Sequence, residues 1–336
     1  MKKVLVTGGL GFIGSNFIRY MIGRHPDVEV VNLDCQAYAG NPDNLADLKR
    51  HPQYRFVKGD VRVAEEVASA MRGCESLFNF AAQTHVDRSI LSADDFITTN
   101  VVGTHLLLSE ARRIALKRFI QVSTDEVYGS IEKGAFRESD SLNPSSPYSA
   151  TKASADLLVQ AYHKTYGLPT IITRCTNNFG PFQYPEKFLP LFITNALEGK
   201  PLPLYGDGLN VREWIYVLDH CAALELVWEK GEEGEIYNIG SGQSLPNLEV
   251  ARKVLKILGK PETLIQFVKD RPGHDRRYAV EIGKLKTLGW RAKVSFEEAL
   301  GQTVEWYKTH ATWWQKLRKK QKEFQEYYQL QYGKEQ

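Results

Sequence analysis

The chain has 336 residues, 43% of them hydrophobic and 25% charged, and 43 lysines and arginines against 40 acids leave a formal net charge of +3. Such a length buries a core that needs no staples, and so small a net charge gives no footprint for DNA or RNA, although a few arginines could hold a small anionic substrate. The four cysteines, Cys35, Cys74, Cys175 and Cys221, form no C-x-x-C pair, the amino terminus has no signal-peptide pattern, and no apolar run is long enough to cross a bilayer. The expectation is a reduced, cytoplasmic protein without a metal, membrane or nucleic-acid partner.

Residues 3–7 read as an apolar strand, and a helical run follows through Phe17, Ile18 and Met21. Between them Gly8, Gly11 and Gly14 fall as G-x-x-G-x-x-G, with Phe12 and Ile13 inside the motif. Strand, glycine turn and helix together suit a dinucleotide: the turn is tight, the backbone approaches a pyrophosphate, and a helix amino terminus faces its charge. A second strand at 28–33 ends at Asp34, about twenty residues on, where an acid accepts ribose hydroxyls and repels a 2′-phosphate. NAD is therefore expected over NADP, the alternative being that Asp34 only caps a loop.

A third strand at 55–57 leads to Gly59, Asp60 and Val61, and a fourth at 76–80 to Ala81 and Ala82. Small residues at strand ends let a flat cofactor lie close to the backbone. Helical runs such as 64–71 alternate with the strands, so an α/β fold is expected, with a Rossmann-type doubly wound parallel sheet. His85, Asp87 and Arg88 come next, and His85 is placed at the substrate edge. A helix is expected over 99–115, with Asn100 at its head.

An apolar run containing Phe119, Ile120 and Val122 delivers Thr124, Asp125 and Glu126 to a strand end. Adjacent carboxylates in a poorly solvated place do not both ionise comfortably, so one is expected to hold its proton while the other is a base. The alternative is a solvated turn. Downstream, Tyr148 and Lys152 open an amphipathic helix and share one face, ~6 Å apart along the axis. An ammonium there, helped by a nicotinamide cation, is expected to lower the phenol pKa from ~10 toward neutrality. Tyr-x-x-x-Lys alone commonly reflects surface packing; the glycine motif and the threonine-bearing strand end upstream make it chemical.

A strand at 170–173 precedes Cys175, Asn177 and Asn178, after which the alternation loosens. Arg212 and Trp214 lead a strand-like segment to Asp219, and another strand closes at 237–240. The second half reads as a smaller C-terminal substrate-binding lobe covering the cofactor. The expected division is a cofactor domain at 1–180 with a returning segment at about 213–242, a lobe from 181–212 and 243–312, and a basic, aromatic helical tail at 313–336. Residues 271–278 form a basic loop whose guanidinium groups suit a diphosphate, or else a solvated charge run.

These motifs resemble the extended short-chain dehydrogenase/reductase superfamily and, within it, the nucleotide-sugar 4,6-dehydratases. The glycines and the Tyr148–Lys152 pair identify only the superfamily. Thr124-Asp125-Glu126, Asn177-Asn178-Phe179-Gly180-Pro181, Pro185-Glu186-Lys187 and the 271–278 loop are far more specific. The resemblance implies a tightly held, recycled NAD and a homodimer whose four-helix interface uses helices near 100–115 and 148–166. It implies redox-neutral loss of water from a nucleotide-diphosphate sugar, dTDP-glucose first and UDP-glucose as the alternative.

In that scheme Tyr148, supported by Lys152 and Thr124, takes the 4-hydroxyl proton, Glu126 takes the C5 proton, and Asp125 protonates the departing 6-hydroxyl. The cofactor is implied to touch Gly8, Gly11, Phe12, Ile13, Gly14, Asp34, Asp60, Val61, Ala81, Ala82, Asn100, Tyr148, Lys152, Cys175 and Asn178. Substrate is implied at His85, Thr124, Asn177, Lys187, Phe188, Tyr205, Arg212, Asn247, Arg271 and His274. Gln83 and Thr84 stand where bacterial thymidine-sugar enzymes have Glu-Ser and look like plant UDP-glucose enzymes, and Phe188 replaces a usual leucine. An epimerase or a noncatalytic NAD-binding protein on the same fold is the further alternative; epimerases generally lack the Asp-Glu pair.

Overall fold

The computed structural model describes residues 2–37, 39–270 and 272–320. The strands, in chain order, are β1 (Lys2–Thr7), β2 (Val28–Asp34), β3 (Tyr54–Lys58), β4 (Ser76–Asn79), β5 (Arg118–Thr124) and β6 (Thr170–Cys175). They continue with β7 (Asn177–Phe179), β8 (Leu202–Tyr205), β9 (Val211–Tyr216), β10 (Ile236–Ile239), β11 (Ser244–Pro246) and β12 (Ile265–Val268). Among the described residues, seven of these lie side by side in the order β10-β6-β5-β4-β1-β2-β3, every pair parallel. This is the doubly wound Rossmann-type sheet that the alternation of elements called for.

A parallel sheet covered on both faces needs apolar side chains at successive positions. Val4 and Val6 pack with Phe17 and Leu224 on one face, while Leu5 packs with Val67 and Leu107 on the other. The helices Phe12–Arg24 and Val217–Lys230 lie together, as do Thr104–Arg113 and Pro147–Tyr166. The chain winds outward from β1 to β3 and then crosses back to β4 on the other side of β1. The crevice at the carboxyl ends of β1 and β4 is therefore the topological switch point, where such sheets take ligands. A polar ladder fixes these ends: Thr7 Oγ1 donates to Asn79 Oδ1 at 2.6 Å, and Asn79 Nδ2 donates to Gln121 Oε1 at 2.9 Å.

Beside the central sheet lie a three-stranded sheet, β11-β9-β7, and a two-stranded one, β12-β8. β10 joins the edge of the central sheet beside β6. A separate apolar cluster of Leu191, Phe192, Leu204, Ala251 and Leu255 takes in Leu317 from the helix Ala311–Lys320. Residues 321–336 of the expected tail lie outside the described residues.

Two element boundaries differ from expectation. The helical stretch around Asn100 starts earlier, at Asp94–Phe96, widens into a π turn at Ile97–Gly103 and continues as Thr104–Arg113. Asn100 is thus inside it and not at its head: its amide accepts from Gln83 N at 2.8 Å and donates to Gln83 O and Thr151 Oγ1. Asp219 does not end a strand; β9 stops at Tyr216 and Asp219 sits in the first turn of Val217–Lys230, where its carboxylate accepts from Lys293 N and Val294 N.

One buried ion pair braces β6 against the helix Pro147–Tyr166. Arg174 Nε donates to Asp156 Oδ2 at 2.9 Å with both side chains excluded from solvent, and Arg174 Nη1 donates to Tyr128 Oη at 2.8 Å. Breaking such a pair from one side strands a charge, whereas replacing both partners does not. Arg174→Met is expected to cost ~3–5 kcal/mol in urea unfolding, and adding Asp156→Leu is expected to recover most of that loss.

Candidate active site

The glycine turn is dictated by contact. Gly8 has φ +66°, and a Cβ there would lie 2.8 Å from Ala81 N; one at Gly14 would lie 2.5 Å from Gly8 O. Only hydrogen fits at either place, so β1, β4 and the following helix close to backbone distance. Above this turn lies a cleft of about 330 Å³ lined by Gly8, Gly11, Phe12, Ile13 and Gly14, and beyond them by Asp34, Asp60, Val61, Ala81 and Ala82. Asp34 serves its loop as well as the cleft, since it accepts from Leu10 N at 2.9 Å and Gln36 N at 2.8 Å. Asn100 is outside this lining, holding Gln83 from behind.

The far wall of the same cleft carries Thr124, Asp125, Glu126, Tyr148, Lys152, Cys175, Asn177, Asn178 and Lys187. β5 ends in extended geometry at Thr124 and passes into a single 3-10 turn, Asp125–Tyr128, whose Glu126 N donates to Thr124 Oγ1 at 3.3 Å. Gly129 releases the turn at φ +80°, in a space where a Cβ would meet Asn143 O at 2.3 Å. Tyr148 and Lys152 stand in the first turns of a helix started by Pro147 and a capping box of Ser146 and Ser149. Lys152 Nζ donates to Val122 O at 2.7 Å, which pins that helix to the strand bearing the acids.

Electrostatics separates the two carboxylates. Asp125 is 3% exposed, and burial first, then the charges of Glu126 and Glu213, push its pKa well above the ordinary carboxylate range. Burial thus favours the protonated form of Asp125, while Glu126, half-buried, borders the cleft. Asp125 Oδ2 is buried without a hydrogen-bond partner among the described residues, as is Asn177 Oδ1. Polar atoms left so in a ligand-sized cleft are ready for groups the ligand brings.

The phenol departs from expectation. Burial, followed by Glu126, Cys175 and Asp125, pushes Tyr148 well above its usual pKa, and only the Thr124 hydroxyl among its main influences pulls it down. Lys152 is too buried to dominate: desolvation lowers its own pKa against the pull of Asp156. Within the protein alone Tyr148 is thus a neutral phenol. Burial likewise lifts the Cys175 thiol to about 12, which leaves it uncharged, and drops His220 to about 3, so that a neutral imidazole holds Asn178 Oδ1 at 2.8 Å.

Of the residues expected around substrate, Thr124, Asn177 and Lys187 share this cleft, and Lys187 Nζ donates to Thr84 O at 2.8 Å. The other described ones lie outside its lining. His85 is 3.6 Å from Glu186, Phe188 packs on Phe192 and Trp214, and Tyr205 Oη donates to Asp87 Oδ2 at 3.0 Å. Arg212 lies over the Tyr278 ring at 4.3 Å, Asn247 heads the helix Asn247–Leu258, and His274 Nδ1 meets Asp270 at 2.6 Å. Arg271 is outside the described residues. The basic loop is tied to the segment after β8 at Arg276, which meets Asp207 at 2.8 Å.

One contributor was missed by sequence reading. Glu213, 2% exposed, adds to the field on Asp125, and a charged residue between Arg212 and Trp214 in an apolar strand was the available signal. Away from the cleft, His25, Glu225 and Glu229 bring one polar atom each within 4.8 Å of one another. Glu225 is already engaged there by Arg24 and Tyr20.

The family model described as GDP-mannose 4,6 dehydratase matches residues 5–303. The chain belongs to this family of nucleotide-sugar 4,6-dehydratases. The low-salt glycan biosynthesis protein Agl12 of Haloferax volcanii is 55% identical over 304 residues, 90% of this chain and 98% of that protein. A dTDP-glucose 4,6-dehydratase of Streptomyces niveus is 48% identical over 321 residues, 94% of this chain and 96% of its own. The crystal structure of DesIV, a dTDP-glucose 4,6-dehydratase of Streptomyces venezuelae with NAD bound, matches with a TM-score of 0.92 at 51% identity, covering 94% of this chain and 99% of that one.

The protonation of this dehydratase-family site is testable through stability. Asp125 binds its proton more tightly folded than unfolded, so its contribution is complete below the ordinary carboxylate pKa of ~4 and is lost as pH rises through the raised folded value. Asp125→Asn does not titrate. Its melting temperature is expected to match the parent's near that lower limit and to exceed it increasingly as pH rises, in thermal scans at fixed ionic strength.

Proposed function

We propose that the protein is an NAD-dependent dTDP-glucose 4,6-dehydratase, a lyase that converts its substrate to dTDP-4-keto-6-deoxyglucose. The observation that carries this reading is a buried Asp125 next to Glu126, its pKa raised by burial and then by that neighbour, in the same cleft as Tyr148 and Lys152. The relatives crystallised with NAD and the glycine-lined crevice at the switch point support the cofactor. NAD, when bound, supplies a hydride acceptor for sugar C4, a donor for C6, and a positive charge beside the phenol.

The chain's own residues move the protons. Tyr148 Oη would ionise beside the positive charge that NAD supplies, aided by the Thr124 hydroxyl, and the phenolate takes the proton of the 4-hydroxyl while Lys152 holds its helix against β5. The resulting 4-ketone acidifies the C5 hydrogen, which Glu126 removes as a proton while Asp125 protonates the 6-hydroxyl, and that group departs as water. A proton then returns to C5. The sugar loses water and no net redox change remains.

The smaller lobe is read as the nucleotide-sugar side, with His85, Asn177, Lys187, Phe188, Tyr205, Arg212, Asn247, Arg271 and His274 around the diphosphate and base. A cytoplasmic location is part of this reading; no described helix is long and apolar enough to cross a membrane. Turnover of dTDP-, UDP- and CDP-glucose in deuterated water without added NAD tests it. The expected outcome is a 4-keto product from dTDP-glucose with deuterium at C5, and a loss of ~10²-fold or more in Asp125→Asn and Glu126→Gln. No 4-keto product from dTDP-glucose refutes the assignment.

A homodimer is part of the same proposal. Supporting it, Val102 and Leu157 are 43% and 56% exposed on helical segments that pack together, each one turn from a second apolar residue, Leu106 and Ala161, and exposed apolar side chains so placed suit a partner. Leu157→Arg is expected to shift the protein from dimer to monomer in sedimentation equilibrium.

A further inference from the structure

We propose that the C-terminal helix Ala311–Lys320 is a brace for cofactor retention, with Trp313 a positioning residue that acts through Asn44 on the glycine turn. The inference rests on the cleft being an NAD site. The segment Pro42–Leu48 flanks that cleft as a kinked 3-10 stretch, broken at Leu45 by non-helical angles, so side chains must hold it. Asn44, 1% exposed, does most of this. Its Oδ1 accepts from Trp313 Nε1 at 3.0 Å, and its Nδ2 donates to Leu10 O at 2.8 Å.

An indole nitrogen only donates. It therefore forces the oxygen of the Asn44 amide toward Trp313 and the nitrogen toward Leu10. With the indole donor gone, a flipped amide would set its oxygen against the Leu10 carbonyl, acceptor against acceptor. The Leu10 carbonyl also accepts from Asn41 N at 3.1 Å, and its N–H donates to Asp34 at 2.9 Å, so three bonds set this residue in the turn whose neighbours line the cleft. Outside, Lys316 pairs with Asp43, and Arg19 bonds both Asn44 O and Asp47.

The preceding helix, Phe296–Thr309, shares the task. Phe182 is held at φ +65°, a conformation bulky residues rarely adopt, with its ring 4.8 Å from Trp306 of that helix and 6.0 Å from Trp313. Tyr307 Oη, also from that helix, donates to Gln183 O, and Gln183 lines the cleft. The two helices thus hold two segments beside the cofactor crevice, and ordering them before NAD arrives removes that cost from binding.

Full-length parent, Trp313→Phe and the surface variant Lys316→Glu are stripped of nucleotide, and NAD dissociation constants and off-rates are measured by calorimetry and stopped flow. Trp313→Phe is expected to weaken NAD by about fivefold, the worth of one hydrogen bond, and Lys316→Glu by about twofold. Turnover of dTDP-glucose at saturating NAD is expected to be unchanged, so the effect falls on cofactor affinity and not on kcat. A purely packing role would lower the melting temperature and leave NAD affinity at the parent value in both variants, which overturns the brace alone. A parent that binds no NAD overturns the cofactor reading and the brace together.

Discussion

Crowding of negative charge at the end of β5 is the constraint around which this cleft is built. Burial, and then the closeness of Glu126 and Glu213, raises the pKa of Asp125. A carboxyl group in that position stays neutral because ionising it would put a second charge in a medium that screens poorly. Everything nearby serves to keep that arrangement in place. Gly242 N donates to Glu213 at 2.7 Å, Thr124 touches Asp125, and the Lys152–Val122 bond keeps the helix from sliding along the strand.

The sheet converts this local chemistry into a site. Parallel register sets Thr124 opposite Cys175 and Thr7 opposite Asn79, so strands distant in sequence finish on one level. The glycine turn and the acids then face one crevice, though more than a hundred residues separate them. The ladder from Thr7 through Asn79 to Gln121 spends buried polar groups on this alignment, and each is satisfied. Slippage of any one strand would break that ladder before it disturbed the apolar layers.

Much of this was legible from residue pattern. Strand runs with apolar residues at successive positions, the spacing of Gly8, Gly11 and Gly14, and Asp34 closing β2 reflect local rules that tertiary contacts do not override. The place of Asn100 inside its helical stretch was hidden because its amide is engaged by Gln83 and Thr151, which lie outside that stretch. The phenol was misjudged because i to i+4 spacing reports nearness on a helix and says nothing of how much solvent both groups lose. Glu213 acts through space from another strand, and Trp313 reaches Asn44 across 269 positions, beyond any motif.

The unequal acids carry a consequence for timing. The proton on Asp125 is held partly by the negative charge of Glu126, so any event that neutralises Glu126 weakens that hold. A proton arriving at one carboxylate makes the other a stronger donor at the same moment. Two transfers on opposite sides of a carbon–carbon bond would then be sequenced by repulsion alone, with no moving part to coordinate them.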